Sequence, residues 1–195
     1  MDGFNLYHAM DGNPDFHKYK WLNLAKLAKA FARPSDEIVA VFYFTAYATW
    51  DPQKVMRHQN YVRALESKGV KPVLGEFKRK DRFCHHCKKE YASVEEKQTD
   101  VNIALRLFQT AIQNVYDTAV IISGDSDLIP AVEAVKSTFP DKTVGVVIPI
   151  GRRSESLKNA AHFHMKMKVR HLAASQFPDE VELDGKKILR PAKWR

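Results

Sequence analysis

The segment Thr118-Ala119-Val120-Ile121-Ile122-Ser123-Gly124-Asp125-Ser126-Asp127 carries the clearest information about the fold. Its first half, TAVII, is a β-branched apolar run typical of a strand buried on both faces. The carboxylates of Asp125 and Asp127 follow directly, and residues 127–139 then have the pattern of a helix. A buried strand that leads through an acidic loop into a helix indicates a parallel α/β sheet with polar groups at its carboxyl edge.

The rest of the chain alternates between strands and helices. Further strands are predicted at 37–47, 70–77 and 143–148, and helices at 16–32, 51–68, 94–114 and 154–162. For the helix 94–114, the predicted buried residues are Val101, Leu105, Phe108 and Ile112. Such alternation implies right-handed crossovers and a doubly wound, mainly parallel sheet. We expect the segment beyond residue 166 to be extended.

Length and charge restrict the classes of protein. A chain of 195 residues suits one α/β domain. Its 31 Lys and Arg against 23 Asp and Glu give a net charge of +8, which favours a polyanionic partner, although a merely soluble basic protein would look the same. No apolar run approaches the ~20 residues that span a bilayer, so no membrane partner is expected. The spacing of the two cysteines does not suggest a disulfide framework. We therefore predict a reducing, cytoplasmic location.

The acidic loop suggests a metal site. Two carboxylates as close as Asp125 and Asp127 repel by ~1 kcal/mol in water and ~4 kcal/mol at an effective dielectric of 20, and a divalent cation would remove that cost. Alternatively, Asp127 only caps the following helix, which leaves Asp125 unexplained. Asp100 lies at the edge of the predicted buried face of its helix, where the alternative is an ion pair with Lys97.

The first residues offer further oxygen ligands. Gly3 permits a tight backbone at a strand-to-loop junction, and Asp2 and Asn5 could bind a metal or orient a phosphate. The alternative is a flexible terminus. Hard oxygen donors without histidine favour Mg²⁺ or Mn²⁺ over zinc.

Three segments together carry a family resemblance. DGFNLY at 2–7, EKQTDVNIAL at 96–105 and SGDSDLIPAV at 123–132 resemble the acidic motifs of the NYN domain, in the bacterial LabA-related branch of the PIN-like nuclease superfamily. GRRSESLKNAA at 151–161 and SQFPDEV at 175–181 are also similar to that branch. The resemblance implies a PIN-like, Rossmannoid three-layer α/β/α sandwich and an Mg²⁺ or Mn²⁺ site. It places Asp2, Asp100, Asp125 and Asp127 on the catalytic, metal-binding positions, with Asn5 beside them.

The same resemblance divides the chain. We expect an NYN domain over 1–165, with a CxxC-bearing loop or knuckle at 78–94, and a C-terminal extension at 166–195 that packs on it or trails from it. Relatives carry a strand before the DGxN motif, whereas Met1 immediately precedes Asp2 here. Either translation starts upstream of Met1, or the sheet lacks its central strand and Asp2 is poorly positioned.

Two other features suit metal or nucleic acid. Cys84-His85-His86-Cys87 has the spacing of half a zinc site, and the alternative is an exposed thiol-rich loop tip. The surrounding segment 77–91 mixes basic and aromatic residues, which suits a single strand but is also usual for solvated surface. Arg152 and Arg153 follow the strand 143–148, where they could clamp a phosphate, and Ser123 is a further candidate for substrate binding.

The leading hypothesis is therefore a metal-dependent nuclease, specifically an endoribonuclease, with RNA favoured over DNA as the partner. One alternative is a non-catalytic nucleic-acid-binding or regulatory protein of the same fold. A phosphatase-type hydrolase is a third interpretation, but it lacks an N-terminal DxD motif because Gly3, Phe4 and Asn5 follow Asp2. The sequence leaves homodimer formation open.

Overall fold

A computed structural model describes residues 1–194 as a mixture of helices and strands. In chain order, the strands are β1 (Val41–Thr45), β2 (Val70–Leu74), β3 (Glu76–Phe83), β4 (Glu90–Lys97), β5 (Thr118–Ile122), β6 (Thr143–Ile148), β7 (Phe163–Lys166), β8 (Glu180–Leu183) and β9 (Lys186–Leu189). The α-helices are α1 (Gly3–Asp11), α2 (Leu24–Lys29), α3 (Pro52–Glu66), α4 (Thr99–Ile112), α5 (Ile129–Thr138), α6 (Glu155–Ala160) and α7 (Val169–Ala174). Short 3-10 turns cover Pro14–Tyr19, Ser126–Leu128 and Ala192–Trp194.

Parallel strands form the centre of the fold. They fall into two groups, which are joined by hydrogen bonds to Met1 and Asp2. β1 pairs with β2, and β6 lies between β5 and β7, all in parallel. The amide of Phe44 donates to the Met1 carbonyl at 3.0 Å, and the amide of Asp2 donates to the Ile122 carbonyl at 3.0 Å. Met1 and Asp2 thus take the place of a short central strand between β1 and β5, which confirms an α/β fold with parallel strands.

Consecutive residues of the central strands alternate between two hydrophobic cores. Tyr43 and Ile122 belong to a first core with residues of α1, α2, α3 and α7. Phe44 and Ile121, their chain neighbours, belong to a second core with residues of α4, α5 and α6. Because successive side chains of a strand point to opposite faces, the two cores lie on opposite sides of the strands.

The segment 78–94 is not the predicted loop or knuckle but most of the antiparallel β3–β4 hairpin. Charged residues occupy both faces of this exposed ribbon, so its sequence lacks the apolar alternation that signals a strand. As a result α4 begins at Thr99, later than predicted. Its buried side chains include Ile103, Leu107 and Ala111, whereas the expected stripe was wrong: Val101 is 60% and Leu105 63% exposed.

Three other expectations were also wrong. The helix predicted over 16–32 is interrupted, because Trp21 and Leu22 are fully buried and Leu22 forms a bridge with Gln176 instead. The strand predicted over 37–47 is confined to β1. The segment beyond residue 166 forms α7 and the β8–β9 hairpin, and its residues Leu172, Phe177 and Ile188 complete the first core. Among residues 1–194, no helix is long and apolar enough to cross a membrane.

Candidate active site

Hydrogen bonds fix the side chain of Asp2, which lies between β1 and β5 in the centre of the sheet. Its side chain is 4% exposed and caps α1, where Oδ1 accepts a hydrogen bond from the Asn5 amide at 2.9 Å. Oδ2 accepts from the Ser123 hydroxyl at 2.7 Å. The helix start packs directly on β1, because a Cβ at Gly3 would lie 2.6 Å from the Phe44 carbonyl oxygen. The alternative of a poorly positioned Asp2 does not hold, and the strand-to-loop junction predicted at Gly3 was wrong because α1 begins there.

The loop after β5 is fixed by hydrogen bonds within the site. The Gly124 amide donates to Asn5 Oδ1 at 2.9 Å, which ties the loop to α1. Asp125, and not Asp127, is the capping residue: its Oδ1 accepts from the Asp127 amide at 3.0 Å. The Asp127 residue is itself exposed. The loop therefore holds two carboxylates at the carboxyl end of β5, and only one of them is used as a cap.

Ser123, which we predicted to bind substrate, is hydrogen-bonded to other residues of the site. It is fully buried, and its hydroxyl donates to Asp2 while it accepts from the Asp125 amide at 3.0 Å. The enclosed hydroxyl therefore holds the Asp2 carboxylate and the backbone at Asp125 in place.

Asp100 lies in the first turn of α4 and close to the other aspartates. Burial, together with repulsion from the carboxylates of Asp125, Asp2 and Asp127, raises the pKa of Asp100 to about 6. The alternative ion pair is absent, because Lys97 contacts Glu95 at 2.9 Å instead. The four predicted aspartates, from three separate segments, are thus near enough to interact electrostatically.

Glu96 is a fifth member of the group that sequence reasoning missed. It lies near the end of β4, and burial, with additional repulsion from Asp2, Asp100 and Asp125, raises the pKa of its carboxyl group to about 7. Its Oε1 is buried and has no hydrogen-bond partner among the described residues. A signal was available, since Glu96 begins the motif at 96–105, but the predicted start of a helix at 94 concealed it. We call Asp2, Glu96, Asp100, Asp125 and Asp127 the acidic cluster.

The acidic cluster suits a hard divalent cation by its chemistry, although its side chains do not form a complete metal cage. Among residues 1–194, no three His, Cys, Asp or Glu side chains have the arrangement of a metal-binding group. The donors are nevertheless all carboxylate oxygens, one of which lacks a partner. A bound cation would relieve their mutual repulsion, and carboxylate oxygens in general suit Mg²⁺ or Mn²⁺ better than zinc.

Arginines border this edge of the sheet. Arg152 is exposed in the turn that follows β6, and its Cβ lies 3.2 Å from the position that a Cβ on Gly124 would take. Arg153 is the next residue of the same exposed turn. The predicted phosphate-binding pair therefore begins directly beside the acidic loop.

Cys84 and Cys87 lie at the tip of the β3–β4 hairpin as free thiols. The turn is closed by the Lys88 amide, which donates to the Cys84 carbonyl at 2.8 Å. No third His, Cys, Asp or Glu joins them in a metal-binding arrangement in the described part of the chain. The tip therefore supplies at most half of a tetrahedral zinc site.

The parallel α/β fold and its acidic edge define a protein of the PIN-like class. The family model of the NYN domain matches residues 1–168, and the chain belongs to this nuclease-like family.

Two individual proteins are similar to the chain. The 6-hydroxy-3-succinoylpyridine 3-monooxygenase HspA of Pseudomonas putida is 26% identical over 235 residues, which cover 100% of this chain and 73% of the relative. The crystal structure of a Vibrio parahaemolyticus protein of unknown function superposes with a TM-score of 0.57 at 20% identity, over 85% of this chain and 88% of that one. The second similarity shows the fold alone.

Proposed function

We propose that the chain is a metal-dependent nuclease that hydrolyses phosphodiester bonds, most readily as an endoribonuclease. The observation that carries the proposal is the acidic cluster. Asp2, Asp100 and Asp125 come from separate segments, and burial, together with repulsion among them, raises the pKa of Asp2 and of Asp100. The nuclease-like family and the net charge of +8 support a polyanionic substrate. A three-layer α/β/α arrangement is part of the proposal, supported by the two cores on opposite faces of the strands.

In this proposal each residue has a defined task. Bound Mg²⁺ or Mn²⁺ would supply Lewis acidity toward a phosphoryl oxygen and lower the pKa of a water molecule. The carboxylates of Asp2, Asp100, Asp125 and Asp127 would hold the cation, with the unpartnered oxygen of Glu96 beside them. Ser123 and Asn5 keep the acidic loop and α1 in register through their hydrogen bonds.

Substrate capture needs positive charge next to the acidic cluster. Carboxylates repel a phosphate backbone, and the exposed turn with Arg152 and Arg153 offers cations immediately beside the loop. We assign these two arginines to backbone binding and not to the chemical step.

Incubation of the purified protein with end-labelled RNA and DNA, in Mg²⁺, Mn²⁺ or EDTA, tests the proposal. We expect internal cleavage of RNA that requires a divalent ion. Asp125→Asn retains the acceptor for the Asp127 amide but removes a charge, and should reduce cleavage by roughly 100-fold or more without loss of folding. The matched control is Asp141→Asn, an exposed carboxylate in the turn before β6, which should cleave like the wild type.

Two results would contradict this function. RNA that binds but stays intact under every metal condition would indicate a non-catalytic nucleic-acid-binding protein. Wild-type cleavage by the Asp125→Asn variant would remove Asp125 from the metal site.

A second candidate function comes from the Pseudomonas putida relative, whose name describes a monooxygenase acting on 6-hydroxy-3-succinoylpyridine. The similarity extends over the whole of this chain, so oxidation of a small aromatic ring is an alternative activity. Oxygen uptake measured with that compound and a reduced nicotinamide or flavin donor tests it. Uptake that depends on the pyridine would favour the oxygenase, and its absence together with metal-dependent RNA cleavage would favour the nuclease.

A further inference from the structure

The Phe77 side chain contacts two other aromatic side chains, those of Phe4 and Trp50, and all three lie outside both hydrophobic cores of the described residues. The Phe77 ring stands edge-on to Phe4, with ring centroids 5.1 Å apart, and edge-on to Trp50 at 4.8 Å. Trp50 is 50% exposed, and the two phenylalanines are only partly buried. We call these three residues the aromatic ledge. Neither core accounts for such an exposed group of rings.

The aromatic ledge borders the acidic cluster. Phe4 lies in the first turn of α1, two residues after Asp2. Phe77 pairs directly with Glu96 across the β3–β4 hairpin, and paired residues of an antiparallel ribbon project from the same face. A ligand that reached the carboxylates from this side would therefore pass the aromatic rings.

An arginine without an ion-pair partner among the described residues lies close to the aromatic ledge. Arg79 follows Phe77 by two residues and so shares its face of the hairpin, and it forms no ion pair within residues 1–194. The other basic residues of β3 alternate onto the opposite face, where they pair with glutamates. Aromatic rings next to such a cation are complementary to a base on a phosphate backbone.

We propose that the aromatic ledge binds an unpaired nucleobase beside the phosphate that enters the acidic cluster. The inference rests on the proposed nuclease function and names its substrate class, which is single-stranded nucleic acid. A base in a duplex is already stacked on both faces, whereas an unpaired base can stack on an exposed aromatic ring.

The tryptophans provide a direct reporter for this contact. Of the 3 tryptophans in the chain, Trp21 is 0% and Trp194 9% exposed, so external quenching reports mainly on Trp50. In EDTA, a single-stranded oligouridylate should quench this fluorescence. An abasic strand of equal length and a duplex should bind more weakly and quench little.

Variants separate stacking from charge, with affinity measured by anisotropy of labelled strands. Trp50→Ala should weaken binding of the oligouridylate about tenfold, which is about 1.4 kcal/mol, and leave the abasic strand unaffected. Trp50→Phe should retain most of the affinity because it keeps a ring. Leu189→Ala removes an exposed apolar side chain on β9 and serves as the control without effect.

The outcomes distinguish this proposal from the nuclease function. Equal affinity for abasic and base-containing strands, or no effect of Trp50→Ala, would overturn nucleobase binding by the aromatic ledge. Metal-dependent cleavage in the same protein would still support the nuclease function. Quenching by single strands without any cleavage would uphold the ledge and overturn the nuclease. If the strand is neither bound nor cleaved, both proposals are overturned. Quenching by 6-hydroxy-3-succinoylpyridine but not by the strand would assign the ledge to a small aromatic substrate and overturn the nucleobase assignment.

Discussion

The Ser123 hydroxyl donates a 2.7 Å hydrogen bond to Asp2 Oδ2 and so joins two residues that are 121 positions apart. Both residues are buried: Ser123 is 0% exposed and Asp2 is 4% exposed. The same hydroxyl accepts from the Asp125 amide. One side chain therefore joins the Asp2 carboxylate, at the start of the chain, to the backbone of Asp125 in the loop after β5.

Ser123→Ala should destabilise the protein. The substitution leaves the buried Asp2 oxygen without its donor, which costs about 1–3 kcal/mol. Ser126→Ala, in the same loop but exposed, should change stability by less than about 0.5 kcal/mol. Urea unfolding in EDTA measures both. Equal stability of the two variants would show that the hydrogen bond contributes nothing to the folded state.

Asp100→Asn should stabilise the metal-free protein in a pH-dependent way. The pKa of Asp100 is raised to about 6 in the folded protein, above its unfolded value, so the folded state binds the proton more tightly. The stability that this group contributes is complete below about pH 4 and is lost as the pH rises through 6. The variant has no titrating carboxyl group at this position. Its free energy of unfolding should exceed that of the wild type by on the order of 1 kcal/mol at pH 8, after allowance for solvent screening.

Unfolding in EDTA at pH 4.5 and pH 8 measures this difference. Asp141→Asn is the control, since that carboxylate is exposed. A difference between Asp100→Asn and wild type that does not change with pH would contradict the electrostatic account of the acidic cluster.

The amino group of Met1 has the opposite effect in a polypeptide made to begin at this residue. It donates to the Phe42 carbonyl at 2.8 Å, and burial lowers its pKa to about 5. Stability therefore falls as the pH decreases from about 8 to 5, because only the unfolded state takes up the proton there. Acetylation of Met1 retains the N–H donor and removes the charge.

We expect the acetylated protein to be more stable by on the order of 1 kcal/mol at pH 7, and equal to the unmodified protein above pH 9. Thermal unfolding of both forms across this range checks the prediction. An advantage that stayed constant with pH would have to come from packing and not from the charge.

The double variant Arg152→Ala and Arg153→Ala should weaken nucleic-acid binding for all sequences. On single strands, the slope of log affinity against log salt should fall by about 0.7 for each phosphate that the variant no longer neutralises. The rate at saturating substrate should fall less, since the acidic cluster remains. The control replaces Lys186 and Lys187, two adjacent exposed cations on β9, and should leave the slope unchanged. An unaltered slope in the arginine variant would mean that substrate enters from another side.

The sequence alone determined the class of fold and the position of its acidic loop. TAVII is recognisable as a buried strand because β-branched runs have a local signature, and the order of strands and helices places Asp125 and Asp127 at a carboxyl edge. The turn with Arg152 and the start of α6 at Glu155 follow from the same local patterns.

Tertiary structure decided what local patterns leave open. α4 has apolar residues on more than one face, and only its packing on the strands selects Ile103 and Leu107 for burial over Val101 and Leu105. Glu96 joins the acidic cluster because the β3–β4 hairpin returns it to the sheet edge. Asp2 is fixed by Ser123, and a hydrogen bond across 121 positions leaves no trace in the periodicity of either segment. Periodicity reports which residues can be buried, whereas long-range contacts determine which of them are.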